Sequence, residues 1–428
     1  MSEQSTSSFK ALDWQRYLIR VGAFLVALVF VAIHLDASPS QAQLTHLVWL
    51  LPLLHLLPAQ RPLFSSEKTL LLLSCGLFFG ALISFAVSGD LWVETGFRSY
   101  WQYLLPLGLL AVFARIQLDR RWLAAIAMAA MLMTLVVVLK DLRAGDVRGI
   151  HHGLPIPFGI VSLTTGLICY LMVLDSRFHW AVRVLLLLAA LMGFVATVWS
   201  QTRGVWVYWL LWLLVAALAW WWLDRRTWRK TLVLSVTAAL IVILGLSNSA
   251  TVTARVGETM NSLNEYFVED NAQTSLGQRF ELWKVAWQTF TDSPLLGQGK
   301  AGFMATKEAM HALGETSASL WLQHAHNDVL WVLSTRGLLS LVFYVALYAF
   351  LISFFARHCS HPDTRLAAYA GLTVSFGGLV YGLSEIFLSL KITIGYFMIV
   401  QTVLVSYVSQ CAAKRSLNTA AGAASPVE

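Results

Sequence analysis

The sequence predicts an all-α polytopic membrane protein of about 12 transmembrane helices with one long polar loop on the outer side. Three observations predict it. Of 428 residues, 57% are hydrophobic and only 12% charged, more apolar side chain than one globular core buries. Apolar runs recur along the chain, and in lipid, where the backbone finds no hydrogen-bond partner, a span of roughly 17–25 residues must close its bonds as a helix. The Lys and Arg residues stand in short clusters between alternate runs. Despite a net charge of +7, they therefore read as topology signals and not as a nucleic-acid surface.

The runs fall near 17–33, 44–58, 69–88, 100–117, 122–139, 154–174, 181–199, 204–223 and 230–248, then 337–356, 366–388 and 392–411. The first lacks a small-residue cleavage site and is expected to stay attached as a helix. The chain thus divides into residues 1–248 (helices 1–9), 249–336 (outer loop and re-entrant segment), 337–411 (helices 10–12) and 412–428 (a disordered tail). Arg16/Arg20, Arg61/Lys68, Arg115/Arg120/Arg121, Arg177/Arg183, Arg225/Arg226/Arg229/Lys230, Arg357/Arg365 and Lys414/Arg415 occupy one set of alternating loops. That set is expected in the cytoplasm, with both termini. Residues 249–323 then lie outside, and their five basic and eight acidic residues carry a net charge of −3. Cys75, Cys169, Cys359 and Cys411 lie in or beside apolar runs, with no metal-site spacing between them.

Within the loop, residues 275–290 place Phe280, Trp283, Val285, Trp287 and Phe290 at helical spacings, as for an amphipathic helix lying at an interface. Pro294, Gly297 and Gly299 then end that helix in a turn. The densest polar cluster is Gln323-His324-Ala325-His326-Asn327-Asp328, where the loop re-enters an apolar run. Asn327 suits an N-cap and Asp328 the first turn, leaving His326 just before the positive end of a helix. Were both histidines inside the helix, two residues would turn them about 200° apart, and one alone could face a site. No third metal ligand stands nearby at a recognisable spacing, so no metal is expected. Arg203, in Ser200-Gln201-Thr202-Arg203-Gly204, and Arg279, in Gly277-Gln278-Arg279, are outer-face cations, the first of them against the usual basic bias.

Together these features resemble the O-antigen ligases and the wider group of polysaccharide polymerases and protein O-oligosaccharyltransferases. The matching residues are His326-Asn327, Leu330, Gly337-Leu338-Leu339, Arg203-Gly204 and Arg279. The resemblance implies a fold similar to the GT-C type glycosyltransferases, an inner-membrane location and a periplasmic active site. It further implies transfer of a glycan from undecaprenyl diphosphate to a hydroxyl of lipid A-core, with membrane lipid as the surroundings and no nucleic acid, cofactor or metal.

The residues present suit that chemistry. Guanidinium forks stay charged and bind diphosphate oxygens bidentately, a role that fits Arg203 and Arg279. Imidazole is matched to taking a proton from a sugar hydroxyl near neutrality, which points to His326 as the base, with His324 as the alternative. Asn327, Asp328 and Gln323 would support them. Asp328 either orients a histidine or complements the helix dipole. Direct displacement would invert the anomeric centre. A polymerase or a protein O-oligosaccharyltransferase would share the donor site and differ in acceptor. A transporter would place charges at mid-span, whereas here they flank the apolar runs.

Overall fold

The computed structural model describes residues 19–28, 30, 51–56, 58–89, 97–144, 155–223 and 250–424. The expected span at 230–248 and most of the one at 44–58 lie outside the described residues. Among those described the chain is all-helical. A short helix α1, Ile19–Leu28, comes first. It is followed by α2 Ser65–Val87, a 3-10 helix Phe97–Leu104, α3 Leu105–Phe113, α4 Arg120–Ala144, α5 Pro155–Val173, α6 Trp180–Trp199 and α7 Arg203–Leu223. The loop contributes α8 Ala250–Val268, α9 Ser275–Asp292 and α10 Gly299–Ala312. The chain ends with α11 Asp328–His358, α12 Arg365–Gly382 and α13 Lys391–Ala424.

Six described helices are long and apolar enough to cross a membrane, namely α2, α4, α5, α6, α11 and α13. The protein is a multi-pass membrane protein. The expected run at 100–117 is instead divided between the 3-10 helix and α3, with Pro106 in the first turn of α3. The run expected at 366–388 ends at Gly382, and turns follow it. Residues 412–424, expected as disordered tail, continue α13 as helix because no Gly or Pro stops the chain before Gly422; residues 425–428 lie outside the described residues.

Basic clusters of the described residues gather at one end of the bundle. There Arg61 pairs with buried Glu67 at 2.7 Å, and Ser406 Oγ donates to the same carboxylate at 2.7 Å. Gln410 binds the carbonyls of Phe113 and Ile116, and Arg177 approaches Asp363 at 3.7 Å. The loop helices α8–α10 and residues 383–390 sit at the opposite end, where α7 begins.

The junction between bundle and loop is a break in α11. Gly337 adopts φ 65°, ψ −168°, a conformation outside any helix and nearly closed to other residues. The break exposes backbone groups that the turn after α9 satisfies. Gln298 N donates to Ser334 O at 2.9 Å, Leu338 N to Pro294 O at 2.9 Å, and Leu339 N to Leu295 O at 3.1 Å. Gly297, at φ 67°, comes so close that a Cβ there would lie 2.4 Å from Arg336 N. Asp328 and residues 331–336 are buried, whereas Val342 and Val345 beyond the break are more than half exposed, as befits a lipid-facing stretch.

Candidate active site

The loop is built to deliver one short segment, residues 313–327, to the start of α11. Helix α9 does much of this with its buried face. Gln278 Nε2 donates to Ser317 O at 3.0 Å and its Oε1 accepts from Ser319 N at 2.6 Å. One turn on, Glu281 accepts from Thr316 Oγ1 at 2.9 Å and Ser317 N at 3.0 Å with one oxygen, and from Tyr266 and Lys284 with the other. Burial pushes the Glu281 carboxyl up, but Lys284 and these hydrogen bonds outweigh it and hold the group below its ordinary range.

Helix α10 supplies the second anchor. Lys307 is fully buried, and its ammonium donates to the carbonyls of Ser319, Leu320 and Leu322. Burial lowers its pKa. Trp283 Nε1 then holds Ala325 O at 3.0 Å, and Ala325 itself is buried beside Leu282, Val285, Phe303 and Trp331. Helix α9 spends Val285 and its neighbours on the loop's own core, while Trp287 stays exposed.

His326 follows in the left-handed region at φ 48°, which turns the chain so that Asn327 caps α11, accepting from Leu330 N at 3.0 Å. Both histidines precede the helix, so helical spacing no longer separates them, and their rings lie 4.0 Å apart between centroids. The reason is Glu385. His326 Nδ1 meets Glu385 Oε2 at 3.2 Å, and His324 Nε2 lies 3.1 Å from Oε1, near enough for an ion pair but off the angle of a directed hydrogen bond. The carboxylate is 5% exposed, the His326 ring 17% and the His324 ring 27%, so the histidines form the accessible side of the cluster.

Electrostatics sort these groups. Burial raises the Glu385 carboxyl, but the two imidazoles more than reverse it, and the group stays ionised well below the ordinary range. Burial lowers the His326 pKa beneath 6.5; Glu385 opposes this, and the charges of His324 and Arg279 add to it. His326 is thus neutral near pH 7. With Nδ1 turned to a carboxylate, that nitrogen carries the proton and Nε2 keeps the lone pair.

The remaining predicted residues are placed as follows. Arg279 stands near enough for its charge to act on His326. Arg203 opens α7; its side chain lies outside the described residues, but a Cβ on the next residue, Gly204, would come 2.6 Å from Ser384 Oγ, directly beside Glu385. Gln323 Oε1 accepts from Lys300 Nζ at 2.7 Å. Asp328 is fully buried and does not orient a histidine. Its partners are Leu388 N at 2.8 Å, Tyr344 Oη at 3.2 Å and Ser389 Oγ at 3.3 Å, so it grips the loop that carries Glu385.

Glu385 escaped the sequence reading because it falls inside an apolar run, although a lone carboxylate in such a run is itself a signal of function. Its arrival also supplies the third donor that local spacing did not show. The ligand atoms of His324, His326 and Glu385 lie within 4.8 Å of one another, a set a divalent cation could use; the same distances suit a carboxylate bridging two imidazoles.

Comparison with known proteins matches residues 187–345 to the family described as O-antigen ligase. The matched stretch runs from α6 through the loop to the second half of α11, so it includes Arg203, Arg279, His324 and His326 but not Glu385. The chain is also similar to an uncharacterized protein of Haemophilus influenzae, 23% identical over 350 residues that cover 79% of this chain and 86% of the relative.

Proposed function

We propose that the protein is a glycosyltransferase that moves a glycan from undecaprenyl diphosphate to a hydroxyl of lipid A-core in lipopolysaccharide biosynthesis. The observation that carries this reading is the buried Glu385 carboxylate meeting Nδ1 of His326, with His326 and the nearby Arg279 both inside the family-matched stretch and Glu385 outside it. The orientation that fits the basic clusters puts both termini in the cytoplasm and this cluster on the periplasmic side of the inner membrane.

In the reaction, His326 Nε2 takes the proton of the acceptor hydroxyl. The acceptor oxygen attacks the anomeric carbon from the face opposite the diphosphate. The bond from that carbon to the diphosphate oxygen breaks, and its electron pair leaves with undecaprenyl diphosphate. Glu385 stabilises the imidazolium, while Arg203 and Arg279 neutralise the departing diphosphate. One displacement inverts the anomeric configuration. No metal enters this scheme, since the guanidinium groups perform the charge neutralisation a divalent ion would otherwise supply.

The test is an in vitro reaction of purified protein, glycan-loaded undecaprenyl diphosphate and lipid A-core, with and without EDTA. A glycolipid product of inverted linkage that forms in EDTA, and vanishes in His326→Ala, is expected. Loss of product in EDTA with recovery on added zinc would assign His324, His326 and Glu385 to a metal. Elongation of the donor glycan without transfer to lipid A-core would make the protein a polymerase. Arg203→Lys should be impaired, because an ammonium cannot reproduce the fork.

A further inference from the structure

The largest fully buried side chain of the described residues is a charged one, Arg336, immediately before the break in α11. Its guanidinium lies 4.5 Å from the centre of the Tyr100 ring. Nη1 donates to Tyr103 Oη at 3.1 Å and Nη2 to Ser389 Oγ at 2.9 Å. Each of these hydroxyls in turn donates a hydrogen bond of its own. Tyr103 Oη donates to Leu388 O, and Ser389 Oγ donates to Asp328 Oδ1 at 3.3 Å. Asp328 closes the circuit by accepting from Leu388 N at 2.8 Å. Leu388 is therefore held by both its N–H and its C=O, three residues from Glu385, and Asn327 Nδ2 holds the other end of the loop at Leu383 O, 3.4 Å away.

We infer that Arg336 and Asp328 are positioning residues, a buried charge pair bridged by Ser389 that fixes the 383–390 loop so that Glu385 meets His326. This rests on the transferase reading of the site. An oppositely charged pair in a protein interior seldom adds stability over apolar residues of similar size, yet either charge left alone is costly. The pair sits where a displaced loop would carry Glu385 off His326 Nδ1, and a misplacement of about 1 Å can cost on the order of a hundredfold in rate.

The test compares Ser389→Ala, which removes the bridging hydroxyl with little change in volume, with the paired replacement Asp328→Ala/Arg336→Met. Thermal unfolding, transfer kinetics and hydrogen exchange at the Leu388 amide are measured on the full chain. Ser389→Ala should unfold near the wild-type temperature, and both variants should exchange faster at Leu388. Their kcat should fall about tenfold or more while the donor KM stays within about twofold, because orientation and not binding is lost. Wild-type kcat in Ser389→Ala, or unchanged Leu388 exchange, would overturn the assignment. His326→Ala runs in parallel: if it keeps full activity, the proposed base is wrong, while Leu388 exchange still decides whether the pair holds the loop.

Discussion

Replacing Gly337 by alanine puts a Cβ into the seam that joins loop to bundle. At φ 65°, ψ −168°, a non-glycine residue is strained by about 1–3 kcal/mol. The new carbon would also lie 2.3 Å from Leu295 O, 2.4 Å from Leu295 C and 2.5 Å from Leu296 N. These are backbone atoms that no side-chain rotation can move, so the turn must withdraw. Withdrawal breaks the hydrogen bonds Gln298 to Ser334, Leu338 to Pro294 and Leu339 to Leu295, each of about 1 kcal/mol net. Strain and lost bonds together give a local cost of about 4–6 kcal/mol. Hydrogen exchange at Leu338 and Leu339 reads this directly, and an acceleration of more than about a hundredfold is expected, since 1.4 kcal/mol is one decade. Gly257→Ala serves as control: nothing lies within 4 Å of a Cβ there, and alanine is the better helix former by about 0.5–1 kcal/mol. Wild-type exchange at both amides in Gly337→Ala would refute the seam.

Three further outcomes are expected. Lys307→Met leaves the carbonyls of Ser319, Leu320 and Leu322 without their buried donor; each unsatisfied group costs about 1–3 kcal/mol, so the 313–327 segment should become protease-sensitive and transfer should fall. Resistance to nicking equal to wild type would contradict the anchoring role. The transfer rate should rise with pH through a single acid limb whose midpoint lies below 6.5, because burial lowers the His326 pKa and only the neutral ring accepts a proton. A midpoint at 7 or higher would count against His326 as base. Site stability has the same sign: His326 and Glu385 both have folded pKa values below the ordinary 6.5 and 4.5, so the stability they contribute is present above those values and drains away as pH falls through the folded ones. Thermal unfolding followed from pH 7.5 down to pH 2 should show the loss in wild type, and the part of it below pH 4.5 should be smaller in Glu385→Gln; an equal loss below pH 4.5 in both would remove Glu385 from the account.

The spanning helices were legible because hydrophobicity is a property of neighbouring residues: α4, α5 and α6 stand close to where their apolar runs predict them. The cap at Asn327 was legible for the same reason, since a cap needs only the residues within one turn. Where a run contained both an apolar composition and a local break, composition misled. Residues 366–388 read as one span, yet the helix stops at Gly382 and the following turns carry the site carboxylate.

By itself, then, the sequence determined a membrane bundle, a polar loop near its last third and two histidines at the start of a helix, all of which depend on residues a few positions apart. Only the tertiary structure decided what those histidines face. Glu385 is 59 residues from His326 along the chain, and Arg336 reaches Tyr103 across 233. No periodicity encodes such meetings. They follow from which helices pack together, and a buried charge is tolerated only where that packing brings it a partner.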